Sequence, residues 1–199
     1  MKLPLAVIAL AFSGAASAQV AEFWFNAGES IIENNAIGTT DPVLGKADDF
    51  KLGNGFRFGF RFDLNPGDRL GYEMSYMYSR TSLMNAGTST GFGIHTVSGD
   101  ALYHFVKRDG RVRPFVMGGL GFSNFVPPGA SASSGGGSNE FQFNYGAGIK
   151  AKAFSKFGRD WGFRADIRQF QYFSKPFGLF LSNGKLQQTE ATVGFGILF

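Results

Sequence analysis

The residues in this sequence that could do chemistry are charged side chains at every second position of apolar or glycine-rich segments. Arg57 and Arg61 are four positions apart, and Arg164, Asp166 and Arg168 follow one another at two-residue spacing. Because alternate residues of a β-strand project to one face, this spacing gathers ionised groups of both signs on one surface. The predicted chemistry is ion pairing in a network of ten residues, Arg57, Arg61, Glu73, Asp100, Lys150, Lys152, Arg164, Asp166, Arg168 and Glu190.

Catalysis would need a nucleophile beside a base, and the two histidines are the natural bases to consider. His95 and Ser98 are three positions apart, so on a strand they face opposite sides. His104 is expected to face inward near one end of its strand, as a satisfied interior residue. Neither histidine has the orienting carboxylate of a triad. The sequence therefore predicts no catalytic residue and no enzyme.

Metal, cofactor and nucleic-acid sites are not predicted either. The chain has no cysteine and two histidines, which is a poor ligand set for transition metals. The glycine-rich segments 53–59 and 118–121 lack the spacing and the following helix of phosphate-binding loops. A formal net charge of +4 over 199 residues is too small and dispersed to indicate nucleic acid.

The charged rows belong to eight segments in which apolar residues alternate with polar residues or glycine. In residues 50–62, for example, the face predicted to point outward carries Leu52, Phe56, Phe58 and Phe60, while the arginines share the other. Half of such a strand can face hydrocarbon and half a polar interior, and about 9–11 residues suffice for a tilted crossing. The predicted strands are residues 20–28, 50–62, 70–79, 94–105, 112–123, 141–153, 161–170 and 186–199.

A sheet of these strands must close on itself, since an open edge would leave N–H and C=O groups unpaired in hydrocarbon. The predicted fold is all-β, an eight-stranded antiparallel up-and-down transmembrane β-barrel. Its connections alternate in length. The short ones, residues 63–69, 106–111 and 154–160, are predicted periplasmic turns, and the longer ones, residues 29–49, 80–93, 124–140 and 171–185, are predicted extracellular loops.

An eight-stranded barrel has an interior only just wide enough for its side chains, so charges there must pair. The first short turn would place Glu73 opposite Gly59, within diagonal reach of Arg57 and Arg61. The third would bring Lys150 beside Asp166. We interpret the network as a plug of salt bridges that fills the lumen and fixes strand register. A gated ion path is the alternative.

The two ends of the sequence indicate an export route. Residues 1–18 are a predicted signal peptide, with Lys2, an apolar stretch and the cleavage site Ala16-Ser17-Ala18, and residues 19–199 form the barrel domain. The apolar stretch is short for an anchor, which needs about 20 residues. Export through the Sec pathway to a bacterial outer membrane is expected. Aromatic residues near strand ends, including Trp24 and Trp161, suit interfacial girdles.

Four stretches carry a resemblance, at residues 99–105, 112–122, 161–168 and 193–199. They resemble the small outer-membrane barrels of the OmpA and OmpX type, most closely the outer membrane protein beta-barrel domain families. The resemblance implies that Phe195, Ile197 and Phe199 form the C-terminal signal read by the barrel-assembly machinery. It also implies periplasmic chaperones as partners. The sequence departs from full-length OmpA relatives in stopping at Phe199, so their peptidoglycan-binding domain is expected to be absent and an OmpX-like, barrel-only monomer is favoured.

The expected function is that of a non-enzymatic integral outer-membrane protein with a plugged polar lumen. Its surface loops would serve envelope integrity, adhesion or defence, and its partners would be outer-membrane lipids and lipopolysaccharide. Three alternatives stay open: a small ion or solute channel, a lipid-modifying outer-membrane enzyme, and a soluble lipocalin-like barrel. The lipocalin alternative would place apolar residues inside, whereas here the charges share the glycine-bearing face.

Overall fold

The computed structural model describes residues 21–130, 137–181 and 185–199, and the predicted signal peptide lies outside them. No helix within these residues is long and apolar enough to cross a membrane. The strands are β1 (Ala21–Glu33), β2 (Ala36–Gly38), β3 (Phe50–Leu52), β4 (Gly55–Leu64), β5 (Leu70–Asn85), β6 (Thr88–His104), β7 (Val112–Val126), β8 (Ser138–Lys156), β9 (Arg159–Tyr172) and β10 (Gln187–Leu198).

Eight long strands form a closed antiparallel barrel. In order around the barrel they are β1, β4, β5, β6, β7, β8, β9 and β10, and β10 pairs with β1 to close the circle. Consecutive long strands are neighbours throughout, as in an up-and-down barrel. The predicted fold class is confirmed. The short strands β2 and β3 extend the sheet beside the far end of β5.

The two ends of the barrel differ in their connections. At the terminal end, β1 begins where β10 finishes, with Glu22 opposite Leu198, and the turns 65–69, 105–111 and 157–158 join the strands. At the opposite end, which we call the loop end, lie the longer connections. The turn at Phe157 and Gly158 has positive φ at both residues, which matches the twist of a tight hairpin.

The prediction that residues 80–93 form a long loop is wrong. Strands β5 and β6 continue past the rest of the barrel and meet in a two-residue turn at Ala86 and Gly87, both with positive φ. The run from Thr88 to Thr90 is polar and exposed on every residue, so it lacks the alternation by which the other strands could be recognised. The loop end therefore carries a protruding hairpin.

The predicted strand 50–62 is interrupted in the structure at Gly53 and Asn54. Asn54 Oδ1 accepts a hydrogen bond of 3.0 Å from the backbone N–H of Ile32, which takes the place of a ladder bond at the break. The interruption also changes which way the preceding residues face. Leu52, predicted to lie on the outer wall, is fully buried in the loop-end interior.

Along the barrel wall the predicted faces are confirmed. On β4, Phe58 and Phe60 point outward with 39% and 45% exposure, whereas Arg57 and Arg61 are fully buried inside. The same alternation holds on β5, β6, β8, β9 and β10. Strand β7, whose sequence is apolar on both faces, places Arg113 and Phe115 inside.

Inward glycines make room for the largest interior side chain. Trp24 is fully buried in the lumen, so its predicted place in an interfacial girdle is wrong. A Cβ at Gly196 would come within 2.6 Å of the indole Cδ2 of Trp24, and one at Gly162 within 3.2 Å of the indole Cη2. The indole therefore lies against one glycine of the neighbouring strand β10 and one of β9.

We expect Gly196→Ala to lower the free energy of unfolding by about 1–3 kcal/mol, the usual cost of overpacking. Urea unfolding of the refolded protein in lipid vesicles measures it. The matched control is Gly99→Ala, because a Cβ at Gly99 would have no atom within 4 Å. Equal stability of the two variants would show that the indole does not rest on Gly196.

Candidate functional site

The lumen contains a balanced set of ionised side chains. Six basic and six acidic residues of the described chain form salt bridges there, and every one of these side chains is at most 5% exposed. They are Arg57, Arg61, Arg113, Lys150, Arg164 and Arg168, with Glu22, Asp63, Glu73, Asp100, Asp166 and Glu190. Because burying unpaired charge is very costly, the equal numbers are what such an interior requires.

The centre of the network is built on two arginines of β9 and the carboxylate between them. Arg164 Nε donates to Asp166 at 2.8 Å, and Arg168 Nε donates to the other oxygen of Asp166 at 3.1 Å. Both arginines also bind Glu73 on β5, with Arg164 Nη1 to Glu73 Oε2 at 2.6 Å. These bonds span the barrel from β9 to β5 and so cross its lumen.

Arg61 adds a third cation to the same centre from β4. Its Nη1 lies 2.5 Å from Asp166 Oδ2, and its Nη2 pairs with Glu190 on β10. Glu190 also binds Arg57, at 2.6 Å from the Arg57 Nε. Each of these carboxylates is therefore shared between at least two guanidinium groups. Charge-assisted bonds of this kind are the strongest hydrogen bonds in proteins, and sharing them couples the strands.

A second group of charges lies toward the terminal end. Lys150 Nζ lies 2.6 Å from Glu22 Oε2 and 2.5 Å from Asp63 Oδ2, and Arg113 approaches Glu22 at 3.3 Å. Trp24 donates its indole N–H to Glu22 at 3.0 Å. Arg164 Nη1 lies 3.2 Å from Asp63, so this group is continuous with the central one.

Toward the loop end the lining changes from ionic to neutral polar. Tyr172 donates its hydroxyl to Gln188 Oε1 at 2.6 Å, and Gln188 in turn donates to Ser30 at 2.7 Å. The Tyr172 hydroxyl also contacts Ser123 at 3.1 Å. Arg57 lies below this layer with its guanidinium carbon 4.9 Å from the ring centre of Phe170.

An apolar cluster covers the loop end of the lumen. Phe92, Phe125 and Tyr172 contact one another in sequence, with ring centres 6.2 and 5.4 Å apart. Phe177 from the 173–186 connection packs edge-on against Phe92 at 6.0 Å. We call this set the apolar cap, and its buried members are Ile32, Ile37, Leu52, Phe92, Ile94, Phe125, Phe170, Tyr172 and Leu186.

Nine of the ten residues predicted for the charge network lie in this lumen, and Lys152 does not. The pairing of β8 with β9 shifts register between Lys152 and Phe154, and Lys152 lies at the terminal end, 3.6 Å from Asp160 and partly exposed. Glu22, Asp63 and Arg113 also belong to the network, although the sequence did not predict them as members.

The predicted pairings within the network are also corrected. Glu73 lies opposite Asp63 rather than Gly59, because Leu64 pairs with Tyr72 and the hairpin is thus centred two residues later along the chain than predicted. Lys150 binds Glu22 and Asp63, and the structure shows no ion pair between it and Asp166 in the described part of the chain. The partners of Glu73 and Lys150 come chiefly from strands across the lumen. The register of a single hairpin cannot indicate such partners.

The histidines and serines considered for catalysis are far from forming a triad. His95 is on the outer face, where its Nδ1 lies 2.8 Å from the Tyr76 hydroxyl, whereas Ser98 faces inward. His104 is buried at the terminal end with its Nδ1 3.3 Å from the backbone oxygen of Arg69. Within the described residues no group of three or more His, Cys, Asp or Glu side chains could hold a metal ion.

The three residues expected to form an assembly signal lie on the outer wall of β10 and just beyond it. Phe195 stacks on Trp161 with ring centres 5.3 Å apart. Ile197 is half-buried, and Phe199 donates its backbone N–H to the Ala21 oxygen at 2.8 Å. The alternation that distinguishes this ending is thus presented on the exterior.

Comparison with known proteins finds one family and several solved structures of similar fold. The model of the outer membrane protein beta-barrel domain family matches residues 5–199. No curated protein sequence matches the chain.

Among solved structures, Neisserial surface protein A is 16% identical with a TM-score of 0.57, over 90% of this chain and 97% of that one. The N-terminal β-barrel domain of OprF from Pseudomonas aeruginosa is 16% identical with a TM-score of 0.48, over 89% and 98% of the two chains. Outer Membrane Protein W of E. coli is 16% identical with a TM-score of 0.45, over 92% and 100%. At these identities the structural likeness concerns the fold alone.

Proposed function

The chain belongs to the outer membrane protein beta-barrel domain family, and from that premise we propose that it is a non-enzymatic integral protein of the bacterial outer membrane with a closed lumen. The observation that carries this proposal is that two different barriers occupy the lumen in series. The ionic network crosses the barrel from β9 to β5, and the apolar cap covers the loop end. A permeating ion would have to disrupt the salt bridges of the ionic network and lose its hydration shell in the apolar cap.

We expect refolded protein in planar bilayers to show no steady conductance. The Phe125→Ala variant, which thins the apolar cap, is expected to stay closed as well, because the ionic network below it is intact. Insertion is verified for each sample by heat-modifiable gel mobility. Steady openings of the unmodified protein that Arg57→Gln abolishes would instead establish the alternative, a small ion channel.

The loops at the loop end would provide contacts for envelope integrity, adhesion or defence. The loop of residues 39–49 supports this role because it presents Val43 and Leu44 at its tip, with 84% and 83% exposure. Asp41 Oδ1 accepts hydrogen bonds from both of their backbone N–H groups, at 2.9 and 3.0 Å, and thereby fixes the tip. Exposed apolar residues on an ordered loop favour a binding surface.

The hydrogen bonds at this tip have a pH dependence. The backbone N–H of Leu44, followed by that of Val43, holds the pKa of Asp41 below its ordinary value. Because the pKa is lowered, these hydrogen bonds contribute fully to stability above the ordinary carboxyl pKa. That contribution is lost only as the pH falls through the lowered value. Both hydrogen bonds to Asp41 are therefore expected to be intact at neutral pH.

The route to the membrane follows from the same proposal. A signal peptide at residues 1–18 would direct Sec export, and periplasmic chaperones would carry the chain to the barrel-assembly machinery. That machinery would read Phe195, Ile197 and Phe199, and the folded product would be a monomer among outer-membrane lipids and lipopolysaccharide. Outer-membrane fractionation of cells producing the protein tests the destination, and recovery in the soluble periplasmic fraction would contradict it.

A further inference from the structure

The net positive charge of the barrel is concentrated at its terminal end. The lumen network is balanced, and the loop end carries five basic and six acidic residues. The terminal end carries seven basic residues, Arg69, Lys107, Arg108, Arg111, Lys152, Lys156 and Arg159, against three acidic ones, Asp68, Asp109 and Asp160. The excess of four therefore lies on one end of the molecule.

Five of these cations are exposed and form what we call the basic rim: Arg69, Lys107, Arg111, Lys156 and Arg159. None of the five forms an ion pair with any residue in the described ranges 21–130, 137–181 and 185–199. They are distributed over all three terminal-end turns, with at least one cation at each turn. The rim is thus spread around the barrel circumference rather than confined to one patch.

Aromatic side chains accompany the rim cations on the outer wall. Arg69 approaches the Tyr103 hydroxyl at 3.3 Å, and the guanidinium of Arg159 lies 4.8 Å from the ring centre of Phe199. Lys156 Nζ lies 5.0 Å from the ring centre of Phe157. Cations above exposed aromatic rings at the edge of an apolar wall suit the headgroup region of a bilayer.

We propose that the basic rim binds the phosphates of anionic glycerophospholipids, of the phosphatidylglycerol type, in the leaflet at the terminal end. This inference rests on the proposed membrane insertion. Unpaired cations at that depth attract anionic headgroups, and the apolar wall next to them accommodates the acyl chains. The loop end, which has no positive excess, would not show the same preference.

The chain has two tryptophans, which makes the test direct. Trp24 is buried in the lumen, while Trp161 lies on the outer wall at the terminal end, two residues from Arg159. Lipids with brominated acyl chains quench tryptophan fluorescence on contact. The protein is reconstituted in mixtures of brominated and unbrominated phosphatidylglycerol or phosphatidylcholine, and quenching of Trp161 gives the relative association constant of the two lipids.

We expect a preference of about threefold or more for phosphatidylglycerol at low ionic strength, falling as salt is added. The double variant Lys156→Gln and Arg159→Gln should bring the ratio close to one. The matched control, Lys46→Gln with Lys185→Gln at the loop end, should leave it unchanged. Trp161→Phe should abolish the quenching and so identify the reporter.

The outcomes separate this inference from the proposed function. Equal quenching by both lipids in the unmodified protein, or an unchanged preference in the Lys156 and Arg159 variant, would overturn lipid binding by the basic rim while leaving membrane insertion intact. Absence of quenching by either brominated lipid, in protein with folded gel mobility, would contradict membrane insertion itself.

Discussion

Replacing Arg164 with methionine is expected to lower the free energy of unfolding by about 3–5 kcal/mol, the cost of removing one partner from a buried ionic group. Arg164 contacts three carboxylates, those of Asp63, Glu73 and Asp166, at 3.2, 2.6 and 2.8 Å. Its loss would leave the lumen with six anions and five cations. Bulk water cannot solvate the carboxylates that Arg164 leaves unpaired, since their side chains are buried in the lumen.

Urea unfolding in phospholipid vesicles, followed by heat-modifiable gel mobility, measures this effect. Arg80→Met is the matched control, because Arg80 is an exposed arginine on the outer face of β5 without an ion pair in the described chain. We expect the control to change stability by less than about 0.5 kcal/mol. Similar stability of both variants would mean that the lumen arginines are not an interdependent network.

The second large effect is expected on the outer wall. Phe60→Arg should lower the free energy of unfolding from the bilayer by about 2–4 kcal/mol, the cost of an arginine near the midplane of a barrel's lipid-facing surface. Phe60 contacts Phe23 and Phe25 on β1, both with ring centres 5.6 Å away, and lies in the middle of β4. The arginine would therefore replace a phenylalanine that packs against two others on the outer wall of the barrel.

The same urea titration in vesicles measures this variant. Phe60→Leu keeps the site apolar and Val43→Arg places the new charge in the exposed loop 39–49. Both controls are expected to be much milder. A Phe60→Arg protein as stable as Phe60→Leu would be incompatible with a hydrocarbon environment at this wall.

The barrel wall was predictable because its physics is local to each strand. Period-two alternation of Phe56, Phe58 and Phe60 with Arg57 and Arg61 depends only on which side of a strand faces the hydrocarbon. The loop end was less predictable, because its interior is apolar. Leu52 belongs to the apolar cap, which faces inward. Its side chain is as apolar as those of an outward-facing row, so a hydrophobicity pattern assigns it to the wrong side.

The members of the lumen network were partly predictable and their pairings were not. Asp63 continues the inward row of Arg57 and Arg61, and Glu22 shares a face with Trp24, so both could have been found by extending the rows to the strand ends. Arg113 lies in a strand whose two faces are both apolar or glycine, which conceals its orientation. The pairings depend on which strands face each other across the lumen, and this is set by closure of the whole barrel.

The most direct measurement of the central claim uses single cysteine variants, which are convenient because the chain has no cysteine of its own. Spin labels at Phe58 and Val193, on the outer wall of β4 and β10, should collide with lipid-soluble oxygen and not with an aqueous nickel chelate. Labels at the inward residues Ser75 and Ser98 should be reached by neither reagent. Outer-wall labels open to the aqueous chelate, with inner labels open to oxygen, would show that the barrel wall has the opposite polarity to the one described.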